Sequence, residues 1–480
     1  MQNMHTKEQV NTRLLVMEML LTVTSNQEYS HIVIREVLNK YNYLSIQEKS
    51  FMKRLFEGTL ERMIELDYCI NQFSKVKVSK MKPVIQAIMR MGVYQILYMD
   101  AVPDAAACNE AVKLAQKKGF ATLKGFVNGV LRNIARNKDA IAYPDKEKTY
   151  EQYLSVTYSM PEWIVSHFLK QQGKEKTEQI LQGLLAEHPV TVRFRKKEEA
   201  CIKAVEKALL EQGGSMTKHP YLEDAYQIEK TDDVTRLPGY EQGDFVIQDV
   251  SSMLAVEALG IETLGIETLG LHNEVKILDI CAAPGGKTML ATDKLIAAKA
   301  ESCREIQREI QIEARDVSDY KVNLMQQNFN RCGLQQVEAV VWDALDLDET
   351  WVGQADVVIA DLPCSGLGII GKKRDIKYKM SQESIDSIIA LQEEILANAV
   401  QYVKPGGKLL FSTCTINKQE NEEHVALLRN TYDMTPVSLQ KYLPIELFGD
   451  TVKEGYMQLL PGIHQTDGFF ISVFQKNGKV

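Results

Sequence analysis

Two cysteines and an aspartate occur where a parallel α/β sheet presents its ligand site. The apolar run 357–360 predicts a buried strand, and Asp361 and Cys364 follow it directly. The run 408–412 predicts another strand, and Cys414 follows that one. Because open α/β sheets bind ligands at the carboxyl ends of their strands, a carboxylate and two thiols are expected at a single crevice. A thiolate in such a crevice can act as a nucleophile.

Each of these residues, taken alone, also fits a purely structural role. Pro363 and Gly366 mark a turn in any case, and a cysteine is often a small buried hydrophobic residue. Packing alone does not explain why a carboxylate and two thiols gather at neighbouring strand ends. The pattern therefore favours a reactive site in which either Cys364 or Cys414 is the nucleophile.

A segment of small residues predicts a ligand-binding loop. The run 276–280 predicts a strand, and residues 281–288 open a helix whose first N–H groups are unpaired. A nucleoside triphosphate loop requires glycine at position 281, which is cysteine here, so a GTPase or ATPase is disfavoured. The segment is a better match to the S-adenosylmethionine loop of methyltransferases, with Cys281, Ala282, Ala283, Pro284, Gly285, Gly286 and Lys287 as its residues.

Acidic residues at the next two strand ends suit the same cofactor. Asp316 lies near the end of the predicted strand 312–317, where an acid can hold the ribose hydroxyls. Asp343 follows the predicted strand 337–342 and can accept a hydrogen bond from the adenine amino group. Either acid alone also fits a cap or turn. Their recurrence at successive strand ends favours S-adenosylmethionine.

The elements that position these residues divide the chain into three expected domains. From about residue 275 strands alternate with helices, the clearest being 384–403, which predicts a Rossmann-like α/β domain over 246–480. Residues 156–245 mix both patterns, which predicts a small α+β domain that positions RNA. Residues 1–140 show helical spacing throughout, which predicts an all-α bundle.

Three further segments are expected to be irregular. The polar stretch 137–155 is typical of a linker. A direct repeat at 260–269 is too short for a solenoid and predicts a lengthened loop or helix end. The charged segment 297–309 predicts an extended helix or a surface insertion.

The composition indicates a globular protein without a metal site. The 480 residues are 45% hydrophobic, and their eight cysteines form no C-x-x-C pair, which argues against zinc and for free thiols. The chain has no apolar run of membrane-spanning length, and its first residues lack a leader's apolar core, so a cytoplasmic location is expected. Residues 1–150 carry a charge of +7, which suits either a polyanion partner or a solvated helix surface.

The N-terminal part resembles a known RNA-binding domain. The segments Asp100–Pro103, Asn109–Ala115 and Phe126–Arg132 are similar to the NusB-like domain. This resemblance implies an all-helical module that binds RNA or serves as a scaffold.

The C-terminal part resembles the RNA cytosine-5 methyltransferases. The resemblance is carried by Gln392 and by the segments Cys281–Thr288, Asp361–Gly366, Arg374–Lys377, Thr413–Cys414 and Asp467–Phe470. Together with the NusB-like start, these parts follow the order of the Sun (Fmu) family, which acts on 16S ribosomal RNA. Leu362, Arg374 and Met253 stand where that family usually has other residues, and none of the three is a reacting group.

The resemblance assigns a role to each candidate reactive residue. It implies that Cys414 is the nucleophile, that Cys364 assists release of the product, and that Asp361 contacts N3 of the base and the methionine end of the cofactor. Cytosine C5 is too weak a nucleophile to attack a methyl sulfonium unaided. A thiolate added at C6 converts the ring into an enamine that can attack through C5.

The expected partner is 16S ribosomal RNA, at a hairpin loop, because sequence-specific RNA recognition targets single strands. A basic cluster that follows Pro363 and Cys364 is predicted to contact the phosphates on either side of the target base. A solvent-exposed loop without an RNA partner would have the same composition. The members of the cluster are Lys372, Lys373, Arg374 and Lys377. A monomer without metal or membrane association is expected. Two alternatives remain open: a cytosine-5 methyltransferase of transfer RNA, and a non-enzymatic RNA-binding or antitermination factor.

Overall fold

The computed structural model describes residues 10–187, 189–231, 233–261, 274–301 and 309–478. The chain forms two compact units. The first comprises the described residues up to Ala186 together with Ile370–Lys379, and the second comprises those of Glu187–Ile369 and Met380–Val480. No helix in these ranges is both long and apolar enough to cross a bilayer. Most of the direct repeat and residues 302–308 of the charged segment lie outside the described residues.

The first unit is all-helical, as the spacing of its apolar residues predicts. Met52, Phe56 and Val93 are fully buried in its core. Gly92 lies where two helices approach closely, and a Cβ atom there would lie 2.8 Å from Leu131 Cδ1, so the Leu131 side chain would have to move. The helices are Thr12–Ser25, Ser30–Lys40, Ile46–Glu61, Met63–Phe73, Pro83–Tyr98, Asp104–Lys117, Lys124–Arg136, Tyr150–Thr157, Glu162–Leu185 and the short Ile376–Lys379.

The stretch 137–155, predicted as a linker, is partly helical. The helix Tyr150–Thr157 begins within it, and Leu154 is buried. Lys146 Nζ donates to Glu178 Oε1 at 2.6 Å, which ties the stretch to the following long helix. Contacts between polar side chains leave no hydrophobic period in a sequence, which is why composition alone indicated a linker.

A four-stranded antiparallel sheet opens the second unit. Its order is β2-β3-β1-β4. The helix Glu199–Glu211 packs on it through Val205 and Leu209. This sheet and its helix account for the mixed strand and helix patterns in the C-terminal part of 156–245. The strands are β1 (Val190–Phe194), β2 (Ser215–Lys218), β3 (Ala225–Glu229) and β4 (Phe245–Ile247).

Two arginines join this small sheet to the rest of the second unit. Arg195 forms a two-point ion pair with Asp293, with Nε–Oδ2 and Nη2–Oδ1 distances of 2.9 and 2.7 Å. Arg193 Nη1 lies 2.9 Å from the same carboxylate. Asp293 belongs to the helix that follows the predicted cofactor loop, so the small sheet is fixed to that helix.

A larger sheet of eight described strands carries the predicted site. Its order is β10-β12-β9-β8-β5-β6-β7, and β11 pairs with β12. The neighbours from β9 to β7 are parallel, whereas β10, β11 and β12 pair antiparallel. The strands are β5 (Glu274–Asp279), β6 (Glu309–Asp316), β7 (Val337–Val341), β8 (Ala355–Asp361), β9 (Val403–Thr413), β10 (Met434–Pro436), β11 (Tyr456–Leu459) and β12 (Phe469–Lys476).

All five predicted parallel strands are confirmed, and β8 shows why the pattern was readable. Val357 and Ile359 face one hydrophobic core, while Val358 and Ala360 face another, so the strand is apolar on both sides. The three C-terminal antiparallel strands had not been predicted. The helices of this unit are Glu199–Glu211, Val250–Glu257, Gly286–Glu301, Asp319–Arg331, Gln382–Tyr402 and Glu422–Thr431.

Candidate active site

The ends of β8 and β9 bring the two candidate thiols together. Asp361 and Ser412 are paired in register where these strands end, and Cys364 and Cys414 follow within three residues. The two Sγ atoms lie 3.0 Å apart, and the Cys414 backbone N–H donates to Cys364 Sγ at 3.2 Å. The two cysteines are therefore in direct contact.

The environment of Cys364 favours its protonated form. Its hydrogen bond with Cys414, its burial and the nearby charge of Glu420 raise the pKa of Cys364 well above its ordinary value. A thiol of raised pKa is little ionised at neutral pH, and its thiolate is a strong proton acceptor. This environment suits proton transfer by Cys364 better than it suits a resting nucleophile.

The carboxylate of Asp361 is fixed through both of its oxygens. Lys287 Nζ donates to Oδ2 at 2.6 Å, and Ser412 Oγ donates to Oδ1 at 2.7 Å. Lys287 is itself buried, and its ammonium lies 4.9 Å from the centre of the Phe469 ring. Asp361 is thus held in one orientation beside the thiols, paired with a lysine from the predicted cofactor loop.

Two facing glycines bring the start of β12 against the loop that follows Cys364. The Gly468 N–H donates to Gly368 O at 2.9 Å, and the Gly368 N–H donates to Cys414 O at 3.2 Å. A Cβ atom on Gly368 would lie 2.1 Å from Gly468 O, so no larger residue fits without a backbone shift. The segment 467–470 thereby supports both cysteine loops.

A buried polar network that the sequence analysis missed lies under these loops. Ser365 N–H donates to Glu420 Oε2 at 2.8 Å, and Thr413 Oγ1 donates to Asn421 Oδ1 at 2.6 Å. Glu420 and Asn421 are both fully buried. The signal that could have revealed them is the polar run 417–421, which directly follows a strand end that carries a candidate nucleophile.

The predicted cofactor loop lies at the carboxyl end of β5. The Ala282 N–H donates to Arg315 O at 2.8 Å, which attaches the loop to β6. Gly285 has a φ of +98°, and a Cβ atom there would lie 2.8 Å from Phe329 Cε1, so this position requires glycine. The helix then begins at Gly286 with its first N–H groups facing the loop.

The donors and acceptors around this loop fit S-adenosylmethionine. Asp279 is buried; its Oδ2 accepts from Thr288 Oγ1 at 2.6 Å, while its Oδ1 has no hydrogen-bond partner among the described residues. Burial raises the pKa of Asp279 to about 7. A buried acceptor without a protein donor suits a ligand that brings ammonium and hydroxyl donors.

The two outer acids differ in their surroundings. Asp316, at the end of β6, is buried with Lys321 Nζ 3.1 Å from its Oδ1, and the next residue, Val317, is 60% exposed. Asp343 follows β7, and its Oδ1 accepts from the Leu345 N–H at 3.0 Å, so part of its role is to shape a turn. Acids beside an exposed apolar surface suit a ribose with its attached base.

The structure places Lys377 inside the helical unit. The residue is 2% exposed, and its Nζ donates to the carbonyl oxygens of Glu61 at 2.7 Å and Ser159 at 2.6 Å. Burial lowers the pKa of Lys377 to about 7. The phosphate contact predicted for Lys377 disagrees with this position, because an enclosed ammonium cannot reach an RNA backbone.

The rest of the basic cluster divides between anchoring and exposed side chains. Arg374 is paired with Glu57 and Glu61 at 3.3 and 3.0 Å, again within the helical unit. Lys372 and Lys373 are exposed. The cluster that looked uniform in the sequence therefore contains two residues held by the helical bundle and two that face outward.

Family models match both parts of the chain. The model described as the 16S rRNA methyltransferase RsmB/F matches residues 266–475, and the NusB family model matches residues 10–136. Among solved structures, the crystal structure of PH0851 has a TM-score of 0.75 at 21% identity and covers 97% of this chain and 99% of its own. At that identity the similarity shows the fold.

Curated relatives match over nearly the whole length. A probable ribosomal RNA small subunit methyltransferase B of Bacillus subtilis (strain 168) is 33% identical, covering 98% of this chain and 100% of the relative. The ribosomal RNA small subunit methyltransferase B of Vibrio cholerae is 29% identical over 90% of both chains. With a NusB-like helical region, a Rossmann-like sheet and this full-length similarity, the chain belongs to the RsmB/F family of 16S rRNA methyltransferases.

Proposed function

We propose that the protein transfers the methyl group of S-adenosylmethionine to C5 of a cytosine in 16S ribosomal RNA, through a covalent bond between Cys414 and C6 of the base. The observation that carries this proposal is the thiol pair, with Sγ atoms 3.0 Å apart, at the strand end beside Asp361. Membership of the RsmB/F family supports the methyl transfer and the RNA class.

The first step joins the enzyme to the base. Cys414 Sγ, as a thiolate, forms a bond to C6, and the π electrons of the C5–C6 bond move toward C5. Asp361, which is held by Lys287 and Ser412, would lie at the N3 edge, where a proton shared between its carboxyl group and N3 would offset the negative charge that develops on the ring. When bound, S-adenosylmethionine would supply an electrophilic methyl group to C5 and would leave as a neutral thioether once its sulfonium–methyl bond had broken.

The second step restores the aromatic ring and frees the enzyme. The proton on C5 leaves, its electron pair re-forms the C5–C6 double bond, and the bond between C6 and Cys414 Sγ breaks. Cys364, in contact with Cys414, is the group proposed to assist this release. Because the raised pKa of Cys364 favours its thiol form, its S–H can donate a proton to the departing Cys414 Sγ, and the Cys364 thiolate formed in this way is a strong acceptor for the C5 proton.

The cofactor is proposed to lie along the ends of β5, β6 and β7. The loop Cys281–Lys287 would hold its methionine part, with Asp279 as a buried acceptor and Asp361 at the methyl end. Asp316 would accept from the ribose hydroxyls, and Asp343 would accept from the adenine amino group.

The RNA target is proposed to be a single-stranded hairpin loop. A base that reacts at C6 and C5 must leave its stack to reach the thiols, and unstacking costs least in a loop. The exposed Lys372 and Lys373 would contact flanking phosphates. We propose that the protein acts as a monomer in the cytoplasm, where bacterial ribosomal RNA is made.

Methyl transfer to defined RNAs tests the proposal. The protein is incubated with methyl-labelled S-adenosylmethionine and either 16S ribosomal RNA or transfer RNA, and bisulfite sequencing maps the product. We expect one cytosine of 16S RNA to be labelled at C5, and Cys414→Ala to abolish the label while the remote Cys201→Ala retains it. Labelling of transfer RNA alone would reassign the target. RNA binding without any label would favour a non-enzymatic factor.

A further inference from the structure

The carboxylate of Glu420 is an unusual feature of this site, because it is fully buried and surrounded by neutral donors. Five donors surround it: Ser365 Oγ at 2.5 Å, the Ser365 N–H at 2.8 Å, Asn417 Nδ2 at 3.1 Å, Gln392 Nε2 at 3.3 Å and Thr415 Oγ1 at 3.4 Å. Burying a carboxylate costs free energy that a well-packed apolar side chain avoids. Its presence therefore calls for a role beyond stabilising the fold.

The donors to Glu420 belong to the residues that flank the two thiols. Ser365 directly follows Cys364, and Thr415 directly follows Cys414. The hydroxyl groups of these two residues also lie 2.8 Å from each other. One carboxylate thus joins the loop of one thiol to the loop of the other.

A neutral pair supports the same loop from its other side. Gln392 Nε2 donates to Pro363 O at 2.8 Å, and Pro363 precedes Cys364. His424 Nε2 lies 2.9 Å from Gln392 Oε1, and burial lowers the pKa of His424 to about 4, so the imidazole is neutral near pH 7 and donates this hydrogen bond. Both neighbours of Cys364 are therefore held by buried polar groups.

We infer that Glu420 is the positioning residue of the two-thiol site, and that it sets the distance and direction between Cys364 and Cys414 through Ser365 and Thr415. This inference rests on the proposed function, because only a reaction that uses both thiols needs that distance. Glu420 touches no reacting atom. Its effect on the reaction passes through the two hydroxyl residues, and its charge adds to the hydrogen bond with Cys414 and to burial in raising the pKa of Cys364.

Glu420→Gln is the central test, because it keeps the size of the side chain but places an NH₂ group against N–H and O–H donors. We expect the single-turnover rate of methyl transfer to fall about 100-fold at saturating RNA and cofactor, since small misplacement of reacting groups has effects of this size. Affinities for S-adenosylmethionine and RNA should change less than about twofold. Glu423→Gln, an exposed residue three positions later, is the matched control and should keep the wild-type rate.

A second readout follows the thiol itself. In the Cys414→Ala background, the pH dependence of Cys364 alkylation by iodoacetamide should move to lower pH when Glu420 becomes glutamine, because a nearby negative charge is removed. Because unfolding would also lower the pKa of this buried thiol, the profile is compared only between variants whose urea unfolding curves match. This arm needs no RNA, so it tests Glu420 even if the wild-type protein methylates no cytosine, a result that would refute the proposed function instead.

Ser365→Ala separates positioning from folding. It removes one of the two Ser365 donors and is expected to slow methyl transfer about tenfold, by the same reasoning as for Glu420. If Glu420 acts through Ser365, the two substitutions combined should slow the reaction by less than the product of their separate effects. The inference is overturned if folded Glu420→Gln keeps the wild-type rate, or if the two effects multiply. Should Glu420→Gln not fold, an unchanged rate in Ser365→Ala would overturn it equally.

Discussion

Lys287 Nζ and Asp361 Oδ2 lie 2.6 Å apart, which links the cofactor loop to the strand that ends beside the thiols. Lys287→Met keeps the length of the side chain but leaves Asp361 without its cation. We expect the free energy of unfolding to fall by about 1–3 kcal/mol, a discounted value because the Asp361 side chain is 30% exposed and water screens its charge. Urea unfolding gives this value, and single-turnover methyl transfer, expected to fall at least about 100-fold, gives the functional effect.

The double variant Lys287→Met/Asp361→Asn is the control for that prediction. Removing both charges should restore most of the lost stability, because no unpaired charge remains, while methyl transfer should stay low. An active and fully stable Lys287→Met variant would show that the contact serves neither function.

The thiol pair predicts opposite outcomes for its two members. Cys414→Ala should abolish covalent capture of RNA, because no nucleophile remains to form the bond to C6. Cys364→Ala should accumulate a protein–RNA adduct that survives denaturation, because the bond forms but release is slowed. Denaturing gel electrophoresis with labelled 16S RNA distinguishes the two. The reverse pattern would exchange the roles of the two cysteines.

The buried Lys377 predicts a change of stability with pH. Its folded pKa, about 7, lies below the ordinary value of 10.5. Between these values the unfolded chain binds more protons than the folded one, so the contribution of Lys377 to the free energy of unfolding should rise as pH increases from about 7 to 10. Chemical unfolding of wild type and Lys377→Met across this range measures the difference. A pH-independent difference would contradict the burial of the ammonium.

Lys377 and Lys373 should also differ in RNA binding. Lys373→Ala should reduce the magnitude of the negative slope of log affinity against log salt concentration by about 1, because it removes one phosphate contact. Lys377→Met should leave that slope unchanged, since its ammonium faces two backbone carbonyls. An equal reduction of the slope in both variants would show that Lys377 contacts RNA phosphates as Lys373 does.

Asp279 predicts a dependence of the free energy of unfolding on pH that is opposite to that of Lys377. Its folded pKa, about 7, lies above the ordinary 3.8, so between these values the folded state binds more protons than the unfolded chain. The stability of the free protein relative to Asp279→Asn should therefore fall as pH rises from about 4 to 7, by at most about 1.4 kcal/mol per pH unit, and level off above that. Urea unfolding at several pH values measures the slope. A relative stability that rises with pH would mean that Asp279 is ionised throughout.

The parallel sheet was predictable because its physics is local. Val357 to Ala360 are all apolar because both faces of their strand are buried, and Asp361 ends this run. The direction of a parallel strand then places Asp361 at the edge of the sheet where ligands bind. The contact between Cys364 and Cys414 follows from two neighbouring strand ends. By contrast, β10, β11 and β12 pair antiparallel, and the region that contains them does not show the alternation of strands and helices that predicted β5 to β9.

The buried polar residues were not predictable, and their contacts show why. Glu420 is one acid in the charged run 417–423, and composition does not distinguish it from the exposed Glu423. Its partner Ser365 lies 55 residues away. The burial of Lys377 was missed for the same reason, because its partners Glu61 and Ser159 are more than 200 residues away in the chain. Burial of a charge depends on such partners, and a single sequence does not show them.

The position of Ile370–Lys379 in the helical unit has a consequence for synthesis on the ribosome. The helices up to residue 185 emerge first, but the Glu61 and Ser159 carbonyls that bind Lys377 wait until about 190 further residues are made. At about 5–20 residues per second this delay is about 10–40 s. The helical unit is therefore incomplete during this interval, and a chain truncated before residue 370 would lack its last segment.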